Sequence, residues 1–283
     1  MVTEVSDAYP TDKERTMSAE ILERLSPCLE MLFAEDDPDM AKRVQATASA
    51  GLRHADMWNW RNRDMSLLHD QATSLGVRIE SFLTDRADLG DPANREGWLK
   101  GVEESLEAAR GVGARALVVT TGKRVPGLPL AEQFSSLHQA LLEGARISAR
   151  AGIPLALEPL NDRVDHPGAL LTSSKMAMEV LDGISPDAAG VLWDVYHSGV
   201  MGEDLPSVPA LLGDRLLYVQ LADDPGRHEP GTGHIDWGSV LNALDRASYT
   251  GPIGLEYRPT VPSQESVAQV AELLANAAER AEQ

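Results

Sequence analysis

From about Leu25 onward the chain repeats one pattern: a short apolar run, a loop, then a longer stretch whose apolar residues recur at helical spacing. The apolar runs are Cys28–Phe33, His54–Trp58, Val77–Phe82, Ala116–Thr120, Pro154–Glu158, Gly190–Asp194, Leu216–Gln220 and Ile253–Tyr257. The helical stretches fall near 37–50, 64–75, 94–111, 130–151, 173–182, 204–213, 237–246 and 263–281. Asp37-Pro38, Asp91-Pro92 and Ser173-Ser174 supply start signals. Gly51, Gly76, Gly113 and Gly152 each follow a helical stretch and precede a strand, the place of a left-handed helix cap. Eight strands alternating with eight helices predict an α/β chain folded as a single (β/α)8 TIM barrel. An open doubly wound sheet is the alternative. Its nucleotide-binding versions lose ground, because no G-x-G-x-x-G follows the first strand and no G-x-x-x-x-G-K-[ST] occurs. No linker divides the chain, so the expected organisation is a polar leader over 1–22 and one barrel domain over 23–283.

Composition narrows the partners. The 283 residues carry a formal net charge of -19, which repels nucleic acid and anionic membranes and leaves room for a locally cationic pocket. There is one cysteine, Cys28, so a disulfide-stapled fold is excluded and a buried structural thiol is expected. The N-terminus has no signal-peptide core, and no run reaches the roughly 18 apolar residues of a membrane span. The expectation is a cytoplasmic enzyme; a homo-oligomer is compatible with it.

The chemistry is expected where strands end, since barrel active sites lie at the C-terminal face. Four successive strands end in polar groups: Glu158, then Asp194, then Gln220 with Asp223 beyond it, then Glu256. A carboxylate at the end of an apolar strand is costly to bury without a partner. Three converging from neighbouring strands call for a cation, and oxygen ligands suit Mg²⁺ or Mn²⁺. A single strand-end acid is more often solvated or salt-bridged; the succession is the signal. His197, three residues after Asp194, can sit beside such a metal without binding it. Arg227 and His228, in the Gly/Pro-rich loop Leu217–Trp237, can clamp a substrate carboxylate or hydroxyls. Trp58 and Trp60 either wall the pocket or pack under the next helix. His54, His69 and His138 read as structural; His166 and His234 are undecided. With one Cys and no G-x-S-x-G elbow, cysteine zinc sites and a serine triad drop out.

Glu158-Pro-Leu-Asn161, Asp194-x-x-His197 and Gly254-Leu-Glu256-Tyr257 together resemble the sugar phosphate isomerase/epimerase superfamily, the xylose isomerase-like barrels. Within it, VQLADDPGRHEPGTGHIDW, with SPCLEMLFAE and LEYRP, resembles the hydroxypyruvate isomerase family over roughly residues 24–260. Most of the superfamily has a metal-binding His where Gln220 stands; the hydroxypyruvate isomerase-like branch is similar to this chain in placing Gln there. The resemblance implies that Glu158, Asp194, Gln220 and Glu256 bind a divalent metal. It implies that Glu158 and Glu256 are the catalytic acid and base, and that His197 and Arg227 contact substrate, a small sugar or hydroxy-keto acid. The long leader, the loop Asn161–Gly168 and the Trp58/Trp60 stretch depart from the family pattern, in places that can select substrate. Epimerisation, or elimination from an oxidised sugar, would use the same site. Metal-dependent phosphodiester hydrolysis needs more placed histidines than the seven present, and a non-catalytic sugar-binding protein would not need the acid set.

Overall fold

The computed structural model describes residues 21–35 and 39–281. The expected leader, apart from Ile21 and Leu22, and the Asp37-Pro38 start signal lie outside the described residues. The strands are β1 Leu25–Pro27, β2 His54–Asp56, β3 Arg78–Leu83, β4 Ala116–Val119, β5 Leu155–Leu157, β6 Ala189–Asp194, β7 Leu216–Leu221 and β8 Ile253–Leu255. They form one eight-stranded sheet in the order β1-β8-β7-β6-β5-β4-β3-β2, every pairing parallel. A parallel bridge between Cys28 and Asp56 joins the two ends, reinforced by Leu29 N–H donating to the Asp56 carbonyl at 2.8 Å. The result is a (β/α)8 barrel, with helices α1 Met40–Ser49, α2 Met65–Ser74, α3 Arg95–Val112, α4 Leu130–Ala151, α5 Ser174–Val180, α6 Val195–Met201, α7 Val208–Leu212, α8 Trp237–Arg246 and α9 Ser263–Ala281. No helix among the described residues is long and apolar enough to cross a membrane.

Local chemistry sets these boundaries. Ser173 caps α5 by accepting the Met176 N–H, and Asp91 accepts the Ala93 N–H in a short turn ahead of α3. Gly113 and Gly152 end α3 and α4 in the left-handed conformation (φ 70° and 69°), which a β-carbon disfavours. Three elements differ from expectation. The first strand is Leu25–Pro27 rather than Cys28–Phe33. After Cys28 the chain turns, with Met31 and Leu32 N–H both donating to the Cys28 carbonyl. Leu29, Leu32 and Phe33 are buried at helix-like spacing, so that apolar run packs as a turn and not as a pleat. The stretch near 204–213 breaks into a 3₁₀ turn and the short α7, each with proline at its start. The unexpected α6 begins directly at the end of β6.

Side chains alternate along each strand and divide the interior in two. Leu83, Ala116, Val118, Ala156, Leu192 and Tyr218 form the filling of the barrel. Their neighbours Leu117, Val119, Leu155, Leu157, Val191, Trp193, Val219 and Leu221 belong to the larger core beneath the helices. Two residues further along each inward row stand Thr120, Glu158, Asp194 and Gln220; Glu256 stands two beyond the inward Gly254. The period of two that fills the barrel therefore carries these polar groups to its open end. A β-carbon on Gly254 would lie 2.7 Å from Gln220 Cγ and 3.1 Å from Tyr218 Cε1, so the glycine makes room for both side chains.

Asp56, buried among these fillers, accepts from the Tyr218 hydroxyl at 2.6 Å and the Ser81 hydroxyl at 2.8 Å. Burial pushes its carboxyl up to about 7, with the Tyr218, Ser81 and Ser26 side chains pulling the other way. Tyr218→Phe removes one of those donors while keeping the ring. It should cost about 1–3 kcal/mol of stability in urea unfolding. An unchanged midpoint would show that the barrel does not depend on this bond.

Candidate active site

The barrel mouth holds a cavity of about 590 Å³, lined by groups from Glu158, His197, Gln220, Arg227 and Glu256 and, higher up, Trp58, Arg86, Lys123, His166 and Arg258. Asp194 lies behind this lining, 1–2% exposed, against the lining residues His197 and Arg227. One of its oxygens, Oδ1, caps α6 by accepting the N–H of Tyr196 (2.8 Å) and His197 (3.1 Å). That capping explains why a helix starts at the strand end, and it leaves the second oxygen beside His197 and Arg227. Asp194 Oδ2 lies 3.6 Å from His197 Nε2, which is 3.8 Å from Glu158 Oε1. Arg227 Nη2 donates to Glu256 Oε1 at 2.6 Å and lies 3.5 Å from Asp194 Oδ2. The guanidinium also sits 5.3 Å over the Tyr196 ring.

The loop after β7 holds Arg227 in place. Asp223 is fully buried, and its carboxylate accepts from the N–H of Asp224, Gly231 and Ile235 and from the Trp237 indole. Gly233 packs so closely on Asp223 and the Asp224 carbonyl that a β-carbon there would collide with both. Arg227 adopts φ 55°, a conformation its own β-carbon resists. It is held by its N–H donating to the Asp223 carbonyl and by Arg258 N–H donating to the Arg227 carbonyl. Glu229, 2% exposed, accepts from the N–H and hydroxyl of Thr260 and so ties this loop to the one after β8.

Burial raises the proton affinity of all three carboxyls. Glu158 is pushed well above the usual range, first by burial, then by Glu256 and Asp194. Glu256 is pushed up to about 7 by burial, although Arg227 at 2.6 Å pulls it down. Asp194 is raised by burial against the same guanidinium. Burial pushes Arg227 down, but the carboxylates of Glu256, Asp194 and Glu158 outweigh it and hold the net value above ordinary. His197 is driven well below its usual value by burial and by Arg227 and His166, and so is neutral.

A divalent cation fits these residues. Asp194 Oδ2, His197 Nε2 and Gln220 Oε1 are buried without a hydrogen-bond partner, an arrangement that costs free energy unless something is bound. Among the described residues, Glu158, Asp194 and His197 bring one potential ligand atom each within 4.8 Å of one another. This grouping differs from the set implied by resemblance, which has Gln220 and Glu256 in place of His197.

The structure places the other expected site residues as follows. Trp58 lines the cavity, and its side chain reaches Glu256. Trp60 instead packs on Phe82, with Arg61 over its ring. His228 is not brought to the cavity, because its Nδ1 pairs with the Arg258 carbonyl at 2.7 Å and its ring lies against Gly226. Cys28 is buried as expected but lines the cavity floor, where burial and the nearby acids keep its thiol protonated. His166, undecided from the sequence, lines the cavity edge-on to His197 at 5.3 Å. His234 is exposed. Asn161, Asp165 and Tyr196 were not singled out as site groups, yet they form a bonded set behind His197. The one available signal was Asn161 closing the Glu158-Pro-Leu-Asn161 motif.

Residues 44–277 match the family described as xylose isomerase-like TIM barrel. The chain belongs to this family. A provisionally assigned hydroxypyruvate isomerase of Streptomyces coelicolor is 31% identical over 258 residues, 84% of this chain and 91% of that one. The hydroxypyruvate isomerase of Escherichia coli is 27% identical over 253 residues, 85% of this chain and 95% of that one. These place the chain in the hydroxypyruvate isomerase branch of the family and make it an enzyme of the isomerase/epimerase class. The crystal structure of an AP endonuclease, family 2, from Brucella melitensis superposes with a TM-score of 0.81 at 22% identity, covering 88% of this chain and 98% of that chain; this is a likeness of fold.

Membership of this xylose isomerase-like family leaves a titration to test. Glu256 has its proton affinity raised from 4.5 to about 7 on folding. The folded state therefore binds more protons than the unfolded state across that window. The stability it contributes to metal-free protein is fully present below about pH 4.5 and is lost as pH rises through about 7. Thermal unfolding in chelator should show the melting temperature falling between pH 5 and 7.5 by more in wild type than in Glu256→Gln. Equal pH profiles would contradict the raised proton affinity.

Proposed function

We propose that the chain is a divalent-metal-dependent isomerase that interconverts a small hydroxy-keto acid and its hydroxy-aldehyde isomer. The observation that carries the reading is the pair of buried carboxyls, Glu158 after β5 and Glu256 after β8, bordering one cavity. Two carboxyls on one cavity allow one to take a proton from carbon and the other to return it. Glu158, Asp194, Gln220 and Glu256 would hold the ion. Their all-oxygen donor set suits Mn²⁺ or Mg²⁺. When bound, the ion supplies Lewis-acid stabilisation of negative charge developing on substrate oxygens.

The chain's own groups supply the rest. One glutamate removes the proton from the hydroxyl-bearing carbon, and the electron pair moves to form an enediolate. The other glutamate delivers a proton to the former carbonyl carbon while the hydroxyl proton passes from the first oxygen to the former carbonyl oxygen, which completes the shift. Arg227, pinned to Glu256, fixes that carboxyl and offers positive charge to the substrate. Trp58 walls the cavity on the Glu256 side. Arg86, Lys123 and Arg258 ring the mouth of a chain whose net charge is -19. Those cations, set beside Asp88 and Asp165 of the same lining, can pair with the carboxylate of an anionic substrate, in keeping with the hydroxypyruvate named for the Escherichia coli relative. Proton return to the same carbon from the opposite side would make the same pair an epimerase, so the product identifies the reaction.

Purified protein with Mn²⁺ should convert hydroxypyruvate to the 2-hydroxy-3-oxo acid, followed by NMR. Exhaustive chelation should abolish turnover, and Mn²⁺ or Mg²⁺ should restore it. Glu158→Gln and Glu256→Gln should each lower kcat by at least about 10²-fold with circular dichroism unchanged. A folded variant with near-wild-type rate, or turnover indifferent to chelation, would overturn the corresponding assignment.

A further inference from the structure

We propose that Asn161 is a positioning residue that fixes His197 as the Nε2–H tautomer, which makes His197 a hydrogen-bond donor to substrate and removes it from the metal ligands. The tautomer follows from the hydrogen bonds of the Asn161 amide. The donor role toward substrate rests on the function proposed above.

Asn161 is fully buried, and its amide has one allowed orientation. Oδ1 accepts two backbone donors, Val164 N–H at 3.0 Å and Asp165 N–H at 2.9 Å. A flipped amide would turn its NH₂ against both. Nδ2 therefore faces the other way and spends its two hydrogens on Asp165 Oδ2 (2.8 Å) and His197 Nδ1 (2.6 Å). An amide NH₂ only donates, so His197 Nδ1 must present its lone pair. In a neutral imidazole the proton is then on Nε2. Both ends of the arrangement are braced: the Tyr196 hydroxyl donates to the same Asp165 Oδ2 at 2.7 Å, and Asp194 Oδ1 accepts the His197 backbone N–H.

The consequence concerns the close grouping of Glu158, Asp194 and His197. A protonated Nε2 has no lone pair to give a cation. The nitrogen is buried with no partner, 3.6 Å from Asp194 Oδ2 and 3.8 Å from Glu158 Oε1. Its N–H thus points into the space beside the acids, where an oxygen of the substrate can accept it. This explains why a histidine sits among the acids without replacing Gln220 as a ligand. Loss of an outer partner that orients such a group typically costs about 10–100-fold in activity or metal affinity.

The test is ¹⁵N NMR of histidine-labelled, metal-free protein near neutral pH, with His197 assigned by loss of its signals in His197→Gln. The expected result is a protonated Nε2 and an unprotonated Nδ1; a proton on Nδ1 would overturn the proposal. Asn161→Asp replaces the donor by an acceptor of the same shape. It should move the proton to Nδ1, lower kcat about 10–100-fold and raise affinity for Zn²⁺, which favours nitrogen ligands. A folded Asn161→Asp protein that keeps the Nε2–H tautomer would also overturn it. If the variant does not fold, the wild-type spectrum alone decides. Because the tautomer is read without turnover, inactivity on hydroxypyruvate with Nε2 protonated would sink the reaction reading and leave the Asn161 assignment standing.

Discussion

Three carboxyls on one barrel wall, faced by one guanidinium, cannot all ionise in a buried site without more positive charge. The interior of the protein penalises each charge, and like charges a few ångströms apart add to the penalty. Glu158, Asp194 and Glu256 respond in the way that physics demands: each holds its proton more tightly than in water. The bonding of the other groups follows from this constraint. Arg227 is drawn onto Glu256, and Asp194 spends one oxygen on a helix cap. Gln220 and His197 are left with buried atoms that nothing in the chain satisfies. A divalent ion would relieve the repulsion and the unsatisfied Gln220 oxygen together.

The barrel makes this tolerable by distributing the cost. Each acid stands at the end of a strand whose inner face is otherwise apolar, so the scaffold does not depend on the site. The loop after β7 is the most heavily bonded part of the mouth. Asp223 gathers three backbone N–H groups and an indole, Glu229 anchors to the next loop, and the strained backbone of Arg227 is held between them. A guanidinium that must oppose several acids needs a fixed position, and rigid second contacts are how a loop supplies one.

Much of this was legible in the sequence, for identifiable reasons. The alternation of strand and helix followed from two different periods in the apolar residues. The helices at 130–151, 237–246 and 263–281 match their expected limits, the first ended by Gly152 in the left-handed conformation. Glu158, Asp194 and Glu256 were visible because a polar residue ending an apolar strand is costly and therefore informative. The first strand differs from expectation because Cys28–Phe33 is apolar but for Glu30, and one polar residue does not reveal whether the spacing is that of a strand or a turn. Asp223 reads in the sequence as a polar group beyond Gln220 at the end of strand seven; its structural role depends on Gly231, Ile235 and Trp237 folding back on it, which no local pattern reports. Asp56 and Tyr218 lie 162 positions apart, and Asn161 on the loop after β5 meets His197 on α6. Such pairings exist only once the barrel closes.

A divalent cation held by the acid cluster, as proposed above, is open to direct measurement. Calorimetric titration of metal-free protein with Mn²⁺ near pH 7, repeated in two buffers of different ionisation enthalpy, counts both ions bound and protons released. One ion per chain and a net release of protons from Glu158, Asp194 and Glu256 are expected. Absence of binding, or binding without proton release, would contradict the proposed cation site.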